Sequence, residues 1–261
     1  MTVSDPYNLY FSPDGASAII VAELYDRLDF HDPVTMALKS SIHVEGCDGI
    51  NHGDYTANGH YFVVTCEYAG KVAKIDMKTD RVTELVTLDH GTSTAPMTMM
   101  PNGNMVESMP QDIRLGPDGR HFYVADMLQG GVHVLNADTL SETAFIPTGK
   151  GAHGITPSHD GTKLFIANRG SAQISGPAHG PGTVAVLDPS RGVVTATWTI
   201  PGGGSPDMGN LTADGSELWL SGRFDSEVYV LDATRGNLIA RIRVPQGPHG
   251  LTVWPLSLIH I

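Results

Sequence analysis

The sequence predicts an all-β chain built from repeated four-stranded antiparallel modules, and three observations support this fold class. Turns centred on Asp-Gly or Asn-Gly recur along the chain, a short strand rich in Val, Ile, Phe, Tyr and Leu follows each turn, and no helical periodicity separates them. A lone four-stranded sheet cannot cover both of its faces, whereas blades packed side by side around an axis bury both. The predicted fold is therefore a β-propeller.

The turns set the period of the repeat. Aligned on Asp or Asn they fall at positions 14, 58, 118, 160 and 214, which leaves spacings of 44, 60, 42 and 54 residues. The predicted strands that follow them are Ala18–Ala22, Tyr61–Cys66, His121–Ala125, Lys163–Ala167 and Glu217–Ser221. We expect one domain over residues 1–261, with blades at about 5–47, 48–108, 109–150, 151–203 and 204–247 and a partial blade at 248–261.

Charge and hydropathy exclude several classes of partner. Sixteen Lys and Arg stand against 28 Asp and Glu, a net charge of −12, and no basic stripe is visible. Nucleic acids and anionic membranes are therefore poor partners. No apolar run approaches 18 residues, so we expect no transmembrane segment, and the first residues do not have the pattern of a signal peptide.

Polar residues recur where each blade would enter the central channel. Seven residues before each turn, or before its extrapolated position, stand Tyr7, Asn51, Gln111, His153, Asp207 and His249; His52 and Asp112 come one residue later in their blades. Converging polar groups in a concavity indicate a binding site for a small molecule or a protein. The alternative is a polar ring that holds channel water.

The histidines of this set could ligate a metal. His153, His249 and His52 offer imidazoles, and Asp112 and Asp207 offer carboxylates, all of them ordinary ligands of copper or another divalent metal ion. This interpretation and the water-filled channel both remain open.

Two arginines follow equivalent second strands. Arg169 and Arg223 occur as Asn-Arg-Gly and Gly-Arg-Phe. A guanidinium suits a substrate carboxylate, so both are candidate ligand-binding residues. Salt bridges between blades are the alternative.

Two insertions are expected on the same face as these residues. One contains Met97, Met99, Met100, Met105 and Met109. Their thioethers suit Cu(I), or they form a plastic apolar lid over the channel. The other is the Gly- and Pro-rich segment Gly170–Gly182.

Cys47 and Cys66 are the two cysteines of the chain. Both are expected in one blade, near the ligand face. One bridge and two free thiols are both open, and a bridge is expected if the protein is exported.

The strand motifs Phe122–Asp126 and Leu164–Asn168, with the Asp-Gly turns before them, resemble the YVTN-repeat β-propeller family over nearly the whole chain. Segments such as Gly151–Gly154 and Gly247–Gly250 resemble its bacterial, often exported branch. The resemblance implies seven blades and an extracytoplasmic location. This chain has about five blades and one further strand, so we expect a truncated copy.

Three functions fit these residues. The first is non-catalytic binding of a small ligand or protein at the channel mouth. The second is a metal-dependent oxidoreductase that uses the channel-mouth histidines. The third is a lactonase-type hydrolase in which His or a carboxylate activates water and Arg169 or Arg223 holds the substrate. The sequence has no P-loop, no nucleophile elbow and no Cys-x-x-Cys motif.

Overall fold

The structure is a computed structural model that describes residues 4–89 and 97–253. Within that part the chain is all β apart from one short 3-10 turn at Glu23–Tyr25. The strands are β1 (Pro6–Phe11), β2 (Ala18–Ala22), β3 (Arg27–His31), β4 (Leu38–His43), β5 (Ile50–Tyr55), β6 (Tyr61–Cys66), β7 (Lys71–Asp76), β8 (Arg81–Thr87), β9 (Thr98–Met99), β10 (Met105–Val106), β11 (Pro110–Leu115), β12 (His121–Asp126), β13 (Gly131–Asn136), β14 (Glu142–Pro147), β15 (Ala152–Pro157), β16 (Leu164–Asn168), β17 (Thr183–Asp188), β18 (Val193–Thr199), β19 (Pro206–Leu211), β20 (Glu217–Gly222), β21 (Glu227–Asp232) and β22 (Leu238–Arg243).

Consecutive strands form four-stranded sheets. The sheets of the described part are β1–β4, β5–β8, β11–β14, β15–β18 and β19–β22, and β9 pairs with β10 alone. This confirms the predicted all-β class and its four-stranded repeat, with strand ends within one or two residues of those expected. Residues 248–253 of the predicted sixth blade carry no strand, and its residues 254–261 lie outside the described part. The blade boundaries and the single domain stay predictions.

The chain divides into two compact units. The first comprises Met1–Val124 and His133–Ala144, and the second comprises Ala125–Val132 and Phe145–Ile261. Alternate residues of the middle strands fill the core of each unit, as expected where both faces of a sheet are covered. In the first unit the core includes Leu28, Phe30, Ile50, Phe62, Val64 and Ile75. In the second it includes Phe165, Val184, Leu211, Leu218, Leu220 and Tyr229.

The repeated Asp-Gly turns are held by their own side chains. Ser12 Oγ donates to Asp14 Oδ1 at 2.6 Å, and the same oxygen accepts from the Ala16 amide at 2.9 Å. Gly15 follows at φ +68°, a left-handed conformation that glycine adopts without strain. Thr212 and Asp214 repeat this arrangement. These aspartates therefore serve the turns and are not candidates for catalysis.

Cys47 and Cys66 form a disulfide in the first unit. Both residues are fully buried in its core. The bridge joins the segment before β5 to the end of β6, so the two cysteines that the sequence left open are paired.

Among the described residues, no helix has the length and apolar character needed to cross a membrane.

Candidate functional site

The first strands of the sheets carry their polar residues at irregular pairing. The register of β15 shifts around His153, and that of β19 shifts around Asp207. A β-bulge turns a side chain out of the regular alternation of its strand and is common beside functional sites. Gly154 permits the close approach of β15 and β19, because a Cβ there would lie 2.3 Å from the Asp207 carbonyl oxygen. These local features bring the two side chains together.

Four side chains of the second unit form what we call the His153 cluster: His153, Arg169, Asp207 and His249. The His153 Nδ1 lies 2.9 Å from Asp207 Oδ1, and Arg169 Nε donates to the same oxygen at 2.6 Å. Arg169 Nη2 lies 2.7 Å from His153 Nε2. Because a guanidinium has donors only, Nε2 must accept, which leaves Nδ1 as the protonated nitrogen facing Asp207. His153, Arg169 and Asp207 therefore each contact the other two.

Neighbouring groups hold Arg169 in place. Its Nη1 lies 3.4 Å from the Met127 sulfur, and the Phe224 ring centre is 5.9 Å from its guanidinium carbon. Ser205 Oγ donates to the Arg169 carbonyl oxygen at 2.8 Å. Arg169 is only 4% exposed. Its guanidinium makes a salt bridge to Asp207 of another sheet, and its role in ligand binding stays a prediction.

Burial and charge decide the protonation of the cluster. Burial lowers the pKa of His153 to about 3, with the charge of Arg169 as the next cause. Burial alone would raise the pKa of Asp207, but His153 and Arg169 outweigh it and hold that pKa well below its ordinary value. At neutral pH the cluster therefore contains a neutral His153, an ionised Asp207 and a cationic Arg169.

His249 is the member that solvent reaches. Its side chain is 24% exposed, while that of Asp207 is fully buried, and its Nε2 lies 3.7 Å from Asp207 Oδ2. Its ring meets the His153 ring edge-on at 5.5 Å. Burial lowers the pKa of His249; the charge of Asp207 opposes this shift, and the charge of Arg223 adds to it. Arg223, the second predicted arginine, thus acts electrostatically on this group.

A second group of side chains in the first unit, the His52 cluster, consists of Asn8, His52, Asp112 and Arg114. The Asn8 Nδ2 lies 3.1 Å from His52 Nδ1. The same nitrogen of His52 is 3.9 Å from Asp112 Oδ1, which lies 3.2 Å from Arg114 Nη1. His52 and Asp112 are buried. The structure therefore places His52 with Asn8 and Asp112.

The remaining predicted residues lie in the first unit and are mostly buried. The Tyr7 ring meets the His52 ring edge-on at 5.8 Å. Asn51 Nδ2 donates to Glu67 Oε2 at 2.7 Å, and Gln111 Nε2 donates to the Met109 carbonyl oxygen at 3.4 Å. Register shifts occur at Tyr7 in β1 and at Asn51 and His52 in β5. The irregular first strand is thus a repeated feature of the described part.

Two residues that contact the clusters, Arg114 and Met127, were not predicted from the sequence. Arg114 stands two residues after Asp112, and residues two apart point to one side of a regular strand. Met127 occupies the position after β12 that Arg169 occupies after β16. Aligning the residue after every second strand would have drawn attention to Met127, and the two-residue spacing to Arg114.

His153, Asp207 and His249 could also hold a metal ion. One ligand atom from each lies within 4.8 Å of the others. Two imidazoles and a carboxylate suit zinc or copper. However, Arg169 already donates to His153 Nε2. An ion could use that nitrogen only if the guanidinium moved away.

Comparison with known proteins defines the class and the family. A solved structure, Kuenenia stuttgartiensis hydrazine synthase, is similar with a TM-score of 0.63 over 95% of this chain and 89% of that one, at 15% identity. This likeness concerns the fold, and with the repeated sheets it defines a β-propeller. Residues 4–181 match the model of the family described as lactonase, 7-bladed beta-propeller. Because the match covers more than half of the chain, the chain belongs to that family. No curated protein matches it.

Proposed function

We propose that this chain hydrolyses a small cyclic ester, a lactone, at the His153 cluster, with His249 as the general base. The observation that carries the proposal is a partly exposed imidazole, kept neutral by its surroundings, beside a buried carboxylate. A general base must be unprotonated at working pH and reachable by water. Membership of the lactonase family supports the reaction class.

The proposed reaction begins with His249 taking a proton from water. The resulting hydroxide attacks the ester carbonyl carbon, the ring C–O bond breaks, and the leaving oxygen recovers the proton from His249. The product is an open hydroxy acid. Asp207, with Oδ2 3.7 Å from His249 Nε2, would stabilise the transient imidazolium. The half-buried Arg223 would stabilise charge that develops on the carbonyl oxygen.

His153 and Arg169 have positioning roles in this proposal. Arg169 and His153 each contact Asp207 Oδ1, and Oδ2 is the oxygen nearer to His249. The carboxylate is therefore held in one orientation. The metal-binding interpretation has a specific observation behind it, the 4.8 Å grouping of His153, Asp207 and His249, and is the second candidate.

The test assays the protein against a panel of simple lactones, with and without a metal chelator, while following acid release. We expect turnover that survives the chelator. His249→Gln should lower kcat about 10²- to 10⁴-fold, the range typical of a lost general base. His60→Gln, at an exposed histidine of a turn, is the matched control and should change nothing.

The pH profile tests the role of His249 separately. Its lowered pKa predicts that kcat/KM stays level at neutral pH and falls on the acid side with a midpoint below 6.5. Absence of turnover, together with lactone binding, would instead favour the ligand-binding function. Chelator-sensitive turnover, with metal retained better after Arg169→Gln than in the wild type, would favour the metal centre.

A further inference from the structure

We propose that the hairpin of β9 and β10 binds one Cu(I) ion through the thioethers of Met97, Met99 and Met105. These three side chains are called the methionine face below. The face lies in the first unit and does not depend on the proposed hydrolysis.

The register of the hairpin puts Met99 and Met105 on one side. Met105 pairs directly with Met99, and Val106 pairs with Thr98. Side chains of directly paired residues share a face, with Cβ atoms about 4.5–5.5 Å apart. Met97 stands two residues before Met99 and lines the same cavity as Met105. Val106 points to the opposite side and is buried.

Exposure separates these methionines from those with a packing role. Met97, Met99 and Met105 are 51%, 72% and 51% exposed, and they are the exposed methionines of residues 4–89 and 97–253. Met100 and Met109, from the same stretch of sequence, are buried at 5% and 1%. Filling gaps in the core accounts for the buried pair. It does not account for three solvent-exposed thioethers within nine residues of one another.

Asn104 anchors the hairpin to residues outside it. Asn104 Nδ2 donates to Asp48 Oδ2 at 3.0 Å and to the Tyr68 carbonyl oxygen at 3.2 Å. Gly103, at φ +88°, closes the turn, and its amide donates to the Met100 carbonyl oxygen at 2.9 Å. The face is therefore held in one orientation, which lowers the entropy lost when its side chains gather around an ion.

A cavity of about 280 Å³ adjoins the face. Met97 and Met105 line it together with Leu88 and the acidic residues Asp89 and Glu107. This is ample room for an ion and its sulfur ligands. The negative charge favours entry of a cation.

The chemistry of the ligands selects the ion. A thioether is soft and uncharged, which suits Cu(I). Zn²⁺ in proteins takes thiolate, imidazole or carboxylate instead, so it should not compete on this face. The imidazoles and carboxylate of the His153 cluster suit Zn²⁺ as well as copper, so Zn²⁺ binding distinguishes that cluster from the methionine face.

The test measures Cu(I) binding to the whole chain without oxygen, in competition with a chromophoric Cu(I) chelator, and examines the bound ion by X-ray absorption. We expect one Cu(I) per chain with sulfur neighbours and no Zn²⁺ bound through sulfur. The triple variant Met97→Leu, Met99→Leu, Met105→Leu conserves volume and should keep its Tm within a few degrees. We expect its Cu(I) affinity to be about a hundredfold lower or lost.

Two further variants serve as controls for Cu(I) binding. Met77→Leu, at a half-buried methionine outside the hairpin, should bind Cu(I) as the wild type does. His249→Gln should also bind it unchanged. A Cu(I) site without sulfur ligands, or undiminished affinity in the triple variant, would overturn the proposal and leave the hairpin as an apolar surface only.

Discussion

The His153 cluster and the His52 cluster use the same ingredients with different coupling. Each sets a buried histidine against a fully buried aspartate whose charge an arginine offsets. In the His153 cluster the histidine and the arginine both lie within 3 Å of one carboxylate oxygen. In the His52 cluster the histidine lies 3.9 Å from the carboxylate and meets the neutral amide of Asn8 instead.

The two clusters therefore share the irregular register of their first strands but differ in how closely their charged groups contact one another. Both clusters draw on first strands with irregular register. Of the two clusters, the one around Asp207 also contains a second histidine, His249, whose side chain is partly exposed. The proposed hydrolysis uses a base that water reaches and that a buried carboxylate accompanies. The His52 cluster, by contrast, has the character of a packed polar core.

The largest effect is expected from removing the shared carboxylate. Asp207→Ala would leave Arg169 buried without its charge partner, which costs about 3–5 kcal/mol of unfolding free energy. Lactone hydrolysis should be lost as well. Asp112→Ala is the matched change and should cost less, because the Arg114 side chain is 25% exposed and regains water. Chemical denaturation measures both; equal losses would contradict the comparison.

Removing the disulfide should lower the stability of the first unit more than that of the second. Cys47→Ala with Cys66→Ala opens a link between residues 19 apart. The expected cost is about 3 kcal/mol, because the unfolded chain regains the entropy of the open loop. Hydrogen exchange should rise mainly in the first unit, while the His153 cluster keeps its protection. Uniform loss of protection would argue that the two units unfold as one.

The next effect is a pH dependence of stability. The folded pKa of His153 is about 3, below its ordinary value of 6.5. Between these values the unfolded chain binds more protons, so stability is full above pH 6.5 and declines as the pH falls towards 3. His153→Gln keeps a donor and an acceptor but does not titrate, so its Tm should decline less over that window. Identical pH profiles would show that His153 is not the titrating group.

The smallest effect is expected at His52. Gln at this position can still accept from Asn8 and donates through its own amide, so we expect a change of about 1 kcal/mol or less in unfolding free energy. Lactone turnover should not change. Loss of turnover in His52→Gln with the fold intact would contradict the proposal that hydrolysis takes place at the His153 cluster.

Much of the fold was predictable, and the site was predictable only in part. The turn spacing indicated the strands to within one or two residues, because Asp-Gly turns and β-branched runs are local signals. The same phasing selected His153, Asp207 and His249. It did not indicate that Arg169 would contact Asp207, since contact across 38 residues depends on two bulges and a close strand approach.

By itself the sequence determined the all-β repeat, the positions of the polar residues within it and the acidic character of the surface. These follow from local backbone preference, from alternation of side chains and from composition. The tertiary structure decided which polar groups share charge, that Cys47 and Cys66 pair, and that His249 alone in its cluster reaches solvent to an appreciable degree. The reason is physical: protonation and coupling depend on distances of a few ångströms and on burial, and both arise only when distant strands pack.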